Sequence, residues 1–214
     1  KPVEEEIELI IQQVYRIRAL INNLLQYSRP GEYTQSMAPL DINQVAQDMQ
    51  VLVRHTLEKK ALQLDLTLDA KALVEGNTQQ LQQVLVNLVM NAANASTGPG
   101  HIWLRTSNWY EAGQRRGVLI EVEDKGKGID ADTLPHIFDP FFTTRDNGTG
   151  LGLSVSYGII RRYGGDIQVT STLGEGTTFT VYLLSEAEFT NSDESTTEQL
   201  LASLSEVQRS QQKN

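Results

Sequence analysis

Hydrophobic residues in the first 30 positions recur in alternating steps of three and four. This stripe is the seam expected of a coiled coil or of a helix inside a four-helix bundle. It predicts one long helix over residues 4–29, ending near Pro30 because proline disfavours helical geometry just before itself. A generic linker helix would have the same periodicity. The stripe consists of Ile7, Ile10, Val14, Ile17, Ile21 and Leu24, widened by Leu20 and Leu25.

After residue 38 the chain interleaves helical and strand patterns. Strict alternation of leucines over 62–68 is typical of a half-buried strand, and the glycine pair at 164–165 is a natural end for a helix. The last two strands are joined by a short Gly-rich turn, which favours a mixed sheet over an all-parallel one. Strands are predicted at 39–42, 62–68, 101–108, 117–124, 166–172 and 177–184, and helices at 43–59, 78–96 and 151–163.

These patterns divide the chain into three parts. Residues 1–30 are predicted to be a stalk helix, residues 31–184 a folded domain, and residues 185–214 a tail. The tail is polar and acidic, so it is predicted to be disordered or loosely helical around 197–209.

Composition limits the classes of function. The chain has 214 residues, 39% of them hydrophobic, which is enough to build one domain core. A net charge of −9 argues against sequence-independent binding to nucleic acid. The absence of cysteine excludes disulfides, thiolate zinc sites and cysteine nucleophiles. No apolar run approaches the roughly 20 residues that cross a bilayer. The chain starts at Lys1 rather than at methionine, so we expect a fragment, with a membrane anchor upstream left open.

Two asparagines lie inside the apolar helix predicted at 78–96. Asn87 and Asn91 are four residues apart, so their amides project from one helix face. An amide oxygen there could coordinate a hard cation such as Mg²⁺. Surface or capping asparagines are the alternative, although a buried amide needs a partner.

The sequence D-x-G-x-G at 124–128 follows a predicted strand. Asp124 could accept a hydrogen bond while Gly126 and Gly128 let the backbone approach a flat ligand. Taken alone, this motif is more often a tight turn.

Two further motifs flank a glycine-containing loop. Three phenylalanines around a proline at 137–142 indicate the base of a lid, or ordinary core packing. The G-T-G-L-G-L sequence at 148–153 runs directly into a helix, where backbone N–H groups and the helix dipole attract phosphate. Neither a dinucleotide fingerprint nor a P-loop is present.

Together, the asparagine pair, D-x-G-x-G, F-D-P-F-F, G-T-G-L-G-L and the Gly174–Thr177 segment resemble the successive N, glycine and F boxes of sensor histidine kinases. That family shares a superfamily with DNA gyrase, the ninety-kilodalton heat-shock chaperones and the MutL repair proteins. The resemblance covers roughly residues 4–184. Residues 24–30 and 141–145 look most similar to the NtrB-like branch.

The resemblance implies a fold and a nucleotide site. The fold is a two-layer α/β sandwich of the Bergerat type with a mixed sheet, preceded by the second helix of a dimerisation hairpin. Asp124 would accept a hydrogen bond from the adenine amino group, with Thr177 assisting through water. Asn91 would bind Mg²⁺, Asn87 would assist at the phosphates, and Arg145 would meet the terminal phosphate. The residues implied to bind ATP are Asn87, Asn91, Asn94, Asp124, Gly126, Gly128, Ile129, Phe138, Thr144, Arg145, Gly148, Thr149, Gly150, Leu151, Gly152 and Thr177.

The resemblance also implies a reaction and partners. A Mg·ATP-dependent histidine kinase would pass phosphoryl groups to the receiver domain of a response regulator and would be a homodimer in its parent protein. The location implied is cytoplasmic, with no nucleic-acid or membrane contact by this chain. Asn87 stands near the position of the water-activating glutamate in ATPases of the superfamily, and an amide is not a useful base. This favours kinase over hydrolase chemistry.

Four features depart from the family pattern. Lys125, Asn94 and Asn77 replace residues that are more usual there, which puts nucleotide affinity in doubt. None of the three histidines precedes an acidic residue as a phosphorylated histidine would, so we expect the acceptor helix to lie upstream of Lys1. A nucleotide-hydrolysing enzyme and a degenerate interaction domain are the rival hypotheses. The histidines are His55, His101 and His136.

Overall fold

Strands whose side chains alternate between buried and exposed positions form the central sheet of this protein. The computed structural model describes residues 37–145 and 148–185. The stalk helix predicted at 4–29 lies outside the described residues, and so does the predicted tail from residue 186 onward.

The elements follow one another in the order that the sequence pattern predicts, with two short additions. In chain order they are β1 (Ala38–Leu40), α1 (Ile42–Lys59), β2 (Leu62–Leu68), β3 (Val74–Gly76), α2 (Thr78–Ala95), β4 (Gly100–Glu111), β5 (Gln114–Asp124), a 3-10 turn (Leu134–His136), α3 (Gly152–Arg162), β6 (Asp166–Thr172) and β7 (Gly176–Leu184).

The main sheet has five strands in the order β2-β4-β5-β7-β6. Strand β2 runs parallel to β4, and the remaining neighbours are antiparallel, so the predicted mixed sheet is confirmed. β1 and β3 form a separate two-stranded antiparallel ribbon. The β4–β5 hairpin turns through Ala112 and Gly113, both with positive φ, as the tight turns of twisted hairpins require.

The helices cover one face of the sheet and bury its apolar side chains. Helix α2 is the most central, because its buried residues contact α1, α3 and β5. Asn77 caps the start of α2 by accepting a hydrogen bond from the Gln80 N–H at 3.1 Å. At the end of α3, Gly164 has a φ of 74°, and the Gly165 N–H donates to the Ile160 carbonyl, which confirms the predicted glycine cap.

The first strand and two short elements differ from the sequence pattern. β1 occupies Ala38–Leu40 rather than residues 39–42, and Ile42 already belongs to α1, because the Asp41 side chain caps that helix at the Asn43 N–H. Strand β3 and the 3-10 turn were not predicted. Each is only three residues long, too short to show a hydrophobic period.

Within the ranges 37–145 and 148–185, every helix is too short or too polar to span a lipid bilayer.

A buried hydrogen-bonded group joins the end of α3 to the start of α2. Tyr163, only 3% exposed, donates its hydroxyl proton to Gln80 Oε1 and accepts from the Asn77 N–H at 3.4 Å. We expect Tyr163→Phe to lower the free energy of unfolding by about 1–3 kcal/mol, because it leaves buried polar groups without this partner. Urea unfolding would measure the loss. Tyr182→Phe is the control: its hydroxyl contacts Gln168 at an exposed position, and a comparable loss there would contradict the argument.

Candidate functional site

A cleft of about 310 Å³ opens between α2, the start of α3 and the irregular segment that follows β5. Eleven of the sixteen residues predicted to bind ATP line it. These are Asn91, Asp124, Gly128, Ile129, Thr144, Arg145, Gly148, Thr149, Gly150, Gly152 and Thr177.

One end of the cleft is part of the sheet itself. Asp124 and Thr177 are direct neighbours on β5 and β7, and both are buried, with exposed fractions of 3% and 4%. Burial raises the pKa of the Asp124 carboxyl above its usual value, and backbone N–H groups of Gly126 and Thr177 oppose that rise. The Gly126 N–H donates to Asp124 Oδ1 at 2.8 Å. The arrangement presents a fixed, solvent-shielded acceptor to a ligand.

Two glycines bring backbone against backbone beside Asp124. A Cβ on Gly126 would lie 2.6 Å from the carbonyl carbon and oxygen of Ala95, at the end of α2. Gly128 has a φ of 67°, and a Cβ there would lie 2.1 Å from the carbonyl oxygen of Thr172. A side chain at either position would therefore force the loop away from the cleft.

The two asparagines of α2 have different partners. Asn87 donates its amide to the Gly152 carbonyl at 3.2 Å and to Ser156 Oγ at 3.1 Å, so it ties α2 to the first turn of α3. Asn91 lines the cleft, and its Oδ1 accepts a hydrogen bond from the Arg145 guanidinium at 3.1 Å. An amide oxygen at the cleft belongs to the donor set of a hard cation, which would take the place of the Arg145 contact.

The opposite end of the cleft is built from backbone. Residues 148–151 belong to no helix or strand, and α3 starts at Gly152 without a side-chain cap. Gly150 has a φ of 66°, and a Cβ there would lie 2.3 Å from the carbonyl carbon of Phe141, which itself has a φ of 66°. Phe141 and Gly150, both in the left-handed region, thus pack together just before the N-terminus of α3. Backbone N–H groups of a helix start attract anions.

Five predicted residues do not line the cleft. Asn94 is exposed on α2, and Leu151 is buried in the core. Phe138 packs on Tyr157 of α3 with ring centroids 4.9 Å apart. Gly126 and Asn87 act through the contacts described above. Their proposed roles in nucleotide binding remain predictions.

Lys125, whose presence put nucleotide affinity in doubt, points away from the cleft. Its ammonium pairs with Glu123 at 2.7 Å, and Glu123 also pairs with Arg105 on β4 at 2.8 Å. Hydrogen bonds from Lys125 and Arg105 lower the pKa of the Glu123 carboxyl. The three side chains lie on the sheet face opposite the helices. The unusual lysine therefore lies outside the cleft lining.

Sequence reasoning missed several lining residues. Lys127 carried a usable signal, because it directly precedes Gly128, a glycine already assigned to the site. Ile137, Phe142, Thr143 and Leu153 lie within motifs already recognised at 137–145 and 148–153. The others come from parts of the chain that only folding brings together. The missed residues are Ala95, Lys127, Asp130, Thr133, Ile137, Phe142, Thr143, Leu153, Leu173 and Phe179.

The fold and the cleft define a nucleotide-binding α/β sandwich with a buried carboxylate at one end and a glycine-lined helix start at the other. The sequence model described as histidine kinase-, DNA gyrase B- and HSP90-like ATPase matches residues 76–187. The chain therefore belongs to this family, in the form of the ATP-binding catalytic domain found in two-component histidine kinases.

Curated relatives support the same assignment. The chain is 39% identical to the sensor kinase CckA of Brucella abortus over 85% of its length, and 36% identical to the sensor histidine kinase ZraS of Escherichia coli over 82%. It spans 20% and 37% of the lengths of these two relatives.

Solved structures show the same architecture. The catalytic domain of histidine kinase ThkA is 29% identical, with a TM-score of 0.62 over 70% of this chain and 96% of that domain. Full-length ShkA in complex with AMPPNP is 26% identical, with a TM-score of 0.65 over 79% of this chain and 36% of that one.

Proposed function

We propose that this chain binds Mg·ATP in the cleft and transfers the γ-phosphoryl group to a histidine on a dimerisation helix that this sequence does not include. The phosphoryl group would then pass to an aspartate of a response regulator in the cytoplasm. The observation that carries the proposal is the buried Asp124 at the sheet end of a cleft whose other end is a glycine-lined helix start.

The chemistry of Asp124 supports a proposed preference for adenine over guanine. Its carboxylate accepts hydrogen bonds, which suits the amino group at position 6 of adenine and repels the carbonyl oxygen of guanine. A buried polar group left without its partner costs about 1–3 kcal/mol, and more when it is charged. Gly126 and Gly128 let the loop after β5 pack directly on the backbone of Ala95 and Thr172, and this packing would hold the wall beside the carboxylate in place for a flat base.

The other end of the cleft suits the phosphates. Gly150 and Gly152 would offer backbone N–H groups around the start of α3, beside Gly148, whose own N–H donates to the Arg145 carbonyl at 3.1 Å. Asn91 would hold Mg²⁺ through its side-chain oxygen. The metal ion would neutralise phosphate charge. Arg145, on the segment before these glycines, supplies a positive group that already lies at the cleft.

The lining favours phosphoryl transfer to a protein over hydrolysis. Among the described lining residues the carboxylates are Asp124 and Asp130, and both belong to the segment that ends or follows β5. On α2, beside the phosphate end, Asn87 is an amide that donates to Gly152 and Ser156. No carboxylate of the described α2 residues is placed to take a proton from water, so the γ-phosphoryl group is preserved for another acceptor.

The acceptor is proposed to lie on another polypeptide segment. His55, His101 and His136 are absent from the cleft lining, and the latter two are paired with Asp65 and Asp139 at 2.7 and 2.8 Å. A structure of ThkA in complex with the response regulator TrrA is similar to this chain, with 25% identity and a TM-score of 0.67 over 86% of this chain and 51% of that one. We propose a receiver domain of that kind as the partner, and a homodimer formed through residues 4–29 in the parent protein.

Calorimetric titration of Mg·ADP into this chain tests the nucleotide site. Saturable binding is expected. Incubation with γ-labelled ATP and a separately supplied histidine-bearing helical hairpin then tests the reaction, and label on the hairpin histidine is expected. Rapid release of free phosphate without labelled protein would instead favour the hydrolase hypothesis, and no ADP binding would favour a degenerate interaction domain.

Arg145→Ala separates binding from transfer. Because Arg145 is proposed to stabilise charge on the terminal phosphate, we expect label transfer to fall by about 100-fold or more while ADP binding changes by less than about threefold. Transfer kinetics and ADP titrations on the same preparation provide the two measurements. Arg105→Ala is the matched control on the opposite sheet face and is expected to leave both unchanged. Equal losses of binding and transfer in Arg145→Ala would contradict the assigned role.

A further inference from the structure

Ser171, on the edge strand β6, contacts both walls of the adenine end of the cleft without lining it. Its hydroxyl oxygen accepts a hydrogen bond from the Ile129 N–H at 2.8 Å, and it lies 2.9 Å from both the Gly176 carbonyl oxygen and Thr177 Oγ1. Ile129 and Thr177 both line the cleft. One hydroxyl therefore joins the loop after β5 to the residue beside Asp124.

The number of protons around Ser171 determines the orientation of the Thr177 hydroxyl. Ser171 has one proton, and the Gly176 carbonyl can only accept, so the Ser171 proton satisfies that carbonyl. Thr177 can then donate its own proton to the second lone pair of Ser171, and all four groups are satisfied. In this arrangement the Thr177 proton points at Ser171, and its oxygen lone pairs point toward the cleft.

We propose that Ser171 is a positioning residue for base selectivity, because it holds the Thr177 proton out of the cleft. The base then meets two acceptors, Asp124 and Thr177, which are register neighbours on β5 and β7. An amino group at position 6 of a purine has two N–H donors and matches this pair, directly or through water. A carbonyl oxygen at the same position faces acceptors only. The inference rests on the proposed function, since it concerns the same nucleotide site.

Without Ser171 the hydroxyl of Thr177 is free to rotate. In Ser171→Ala it can turn its proton into the cleft and donate to a carbonyl oxygen at position 6, so discrimination weakens. The strand and its packing change little, because Ser171 lies on the outermost strand of the sheet and is only partly buried. If Ser171 only stabilised the fold, its loss would weaken the binding of all nucleotides alike.

The test compares ADP with inosine diphosphate, which differs from ADP in bearing a carbonyl oxygen at position 6 and a proton at N1. Calorimetry with Mg²⁺ gives the ratio of the two dissociation constants for each variant. The intact chain is expected to bind ADP more tightly. Ser171→Ala is expected to lower the ratio of the two dissociation constants about tenfold, which is the factor that one neutral hydrogen bond contributes. Ser171→Thr keeps the hydroxyl and is expected to restore the ratio.

Two further variants make the test decisive. Thr170→Ala removes an exposed hydroxyl from the same strand and is expected to leave both affinities unchanged. If Ser171→Ala does not fold, Ser171→Cys fills the same space with a weakly hydrogen-bonding thiol, and its preference for ADP should likewise fall.

The outcomes distinguish this inference from the proposed function. An unchanged ratio in Ser171→Ala, with both affinities lowered equally or unaltered, would overturn the role of Ser171 while leaving ATP binding intact. An intact chain that binds ADP without preferring it to inosine diphosphate would also overturn it. An intact chain that binds neither nucleotide would overturn both proposals.

Discussion

Asp124→Asn is expected to abolish most ADP binding while leaving the chain folded. The amide that replaces the carboxylate removes the charge and introduces donors, so the 6-amino group of adenine loses its charged acceptor. Hydrogen bonds to charged groups contribute about 1.5–3 kcal/mol, so the dissociation constant should rise by about 100-fold. Calorimetry against the intact chain measures the change.

The fold should tolerate this substitution because the buried charge is itself unfavourable. Burial raises the pKa of Asp124 in the folded state above its unfolded value. Its contribution to stability is therefore fully present below the unfolded pKa and is lost as the pH rises through the folded pKa. Asp124→Asn removes that loss, so at neutral pH its free energy of unfolding should equal or exceed that of the intact chain. Urea unfolding at acidic and neutral pH measures the difference between the two proteins.

Glu123→Gln is the matched control for Asp124→Asn. It removes the neighbouring carboxylate, whose partners Arg105 and Lys125 lie on the opposite face of the sheet. ADP affinity should be unchanged in this variant. If Asp124→Asn bound ADP as tightly as the intact chain, the base would lie elsewhere in the cleft.

Gly128→Ala is expected to impair both stability and nucleotide binding. The new methyl group would lie 2.1 Å from the Thr172 carbonyl oxygen, and the residue would have to keep a φ of 67°. The left-handed conformation alone costs an L-residue about 1–2 kcal/mol, and relief of the backbone clash moves the loop that carries Ile129. We expect a total loss of about 3 kcal/mol, or about 6–12 °C in the melting temperature, with ADP affinity lowered at least about tenfold.

Gly174→Ala separates the conformational strain of Gly128→Ala from its backbone clash. Gly174 has a φ of 83°, but a Cβ there meets no atom within 4 Å, so this variant has the conformational strain without the clash. Thermal melts with and without ADP on both variants give the comparison. Equal behaviour of the two alanine variants would show that φ, rather than backbone packing against Thr172, requires glycine at position 128.

Much of the fold was predictable because its segments are long and periodic. The strand of alternating leucines at 62–68 and the end of α3 at the glycine pair follow from local sequence alone. The three-residue strand β3 does not, since its existence depends on pairing with β1. The similarity to the NtrB-like branch stays a prediction.

The site was predictable where backbone chemistry restricts the residue type. Gly126, Gly128 and Gly150 fall into this group, because a close backbone approach leaves no room for a side chain. Asp124 was predictable for another reason, since it follows a predicted strand directly before two glycines. Asn94 could not be judged from spacing alone. It follows Asn87 and Asn91 at helical spacing, yet its side chain is exposed and does not line the cleft. The Gly126 loop packs directly on Ala95 and closes the cleft at that end of α2, which helix periodicity cannot reveal.

The two ends of the cleft differ in how they are held, and this has a consequence for the order of events. Asp124 and Thr177 are fixed by neighbouring strands of the sheet, whereas the phosphate end is attached through side chains, with two hydrogen bonds from Asn87 and two from Arg145. The two acceptors are thus in place once the chain has folded, whereas the proposed phosphate end is held by side-chain contacts that a ligand can displace. We expect nucleotides to dock base first, so that the adenosine portion governs encounter and the phosphates govern how long the ligand stays.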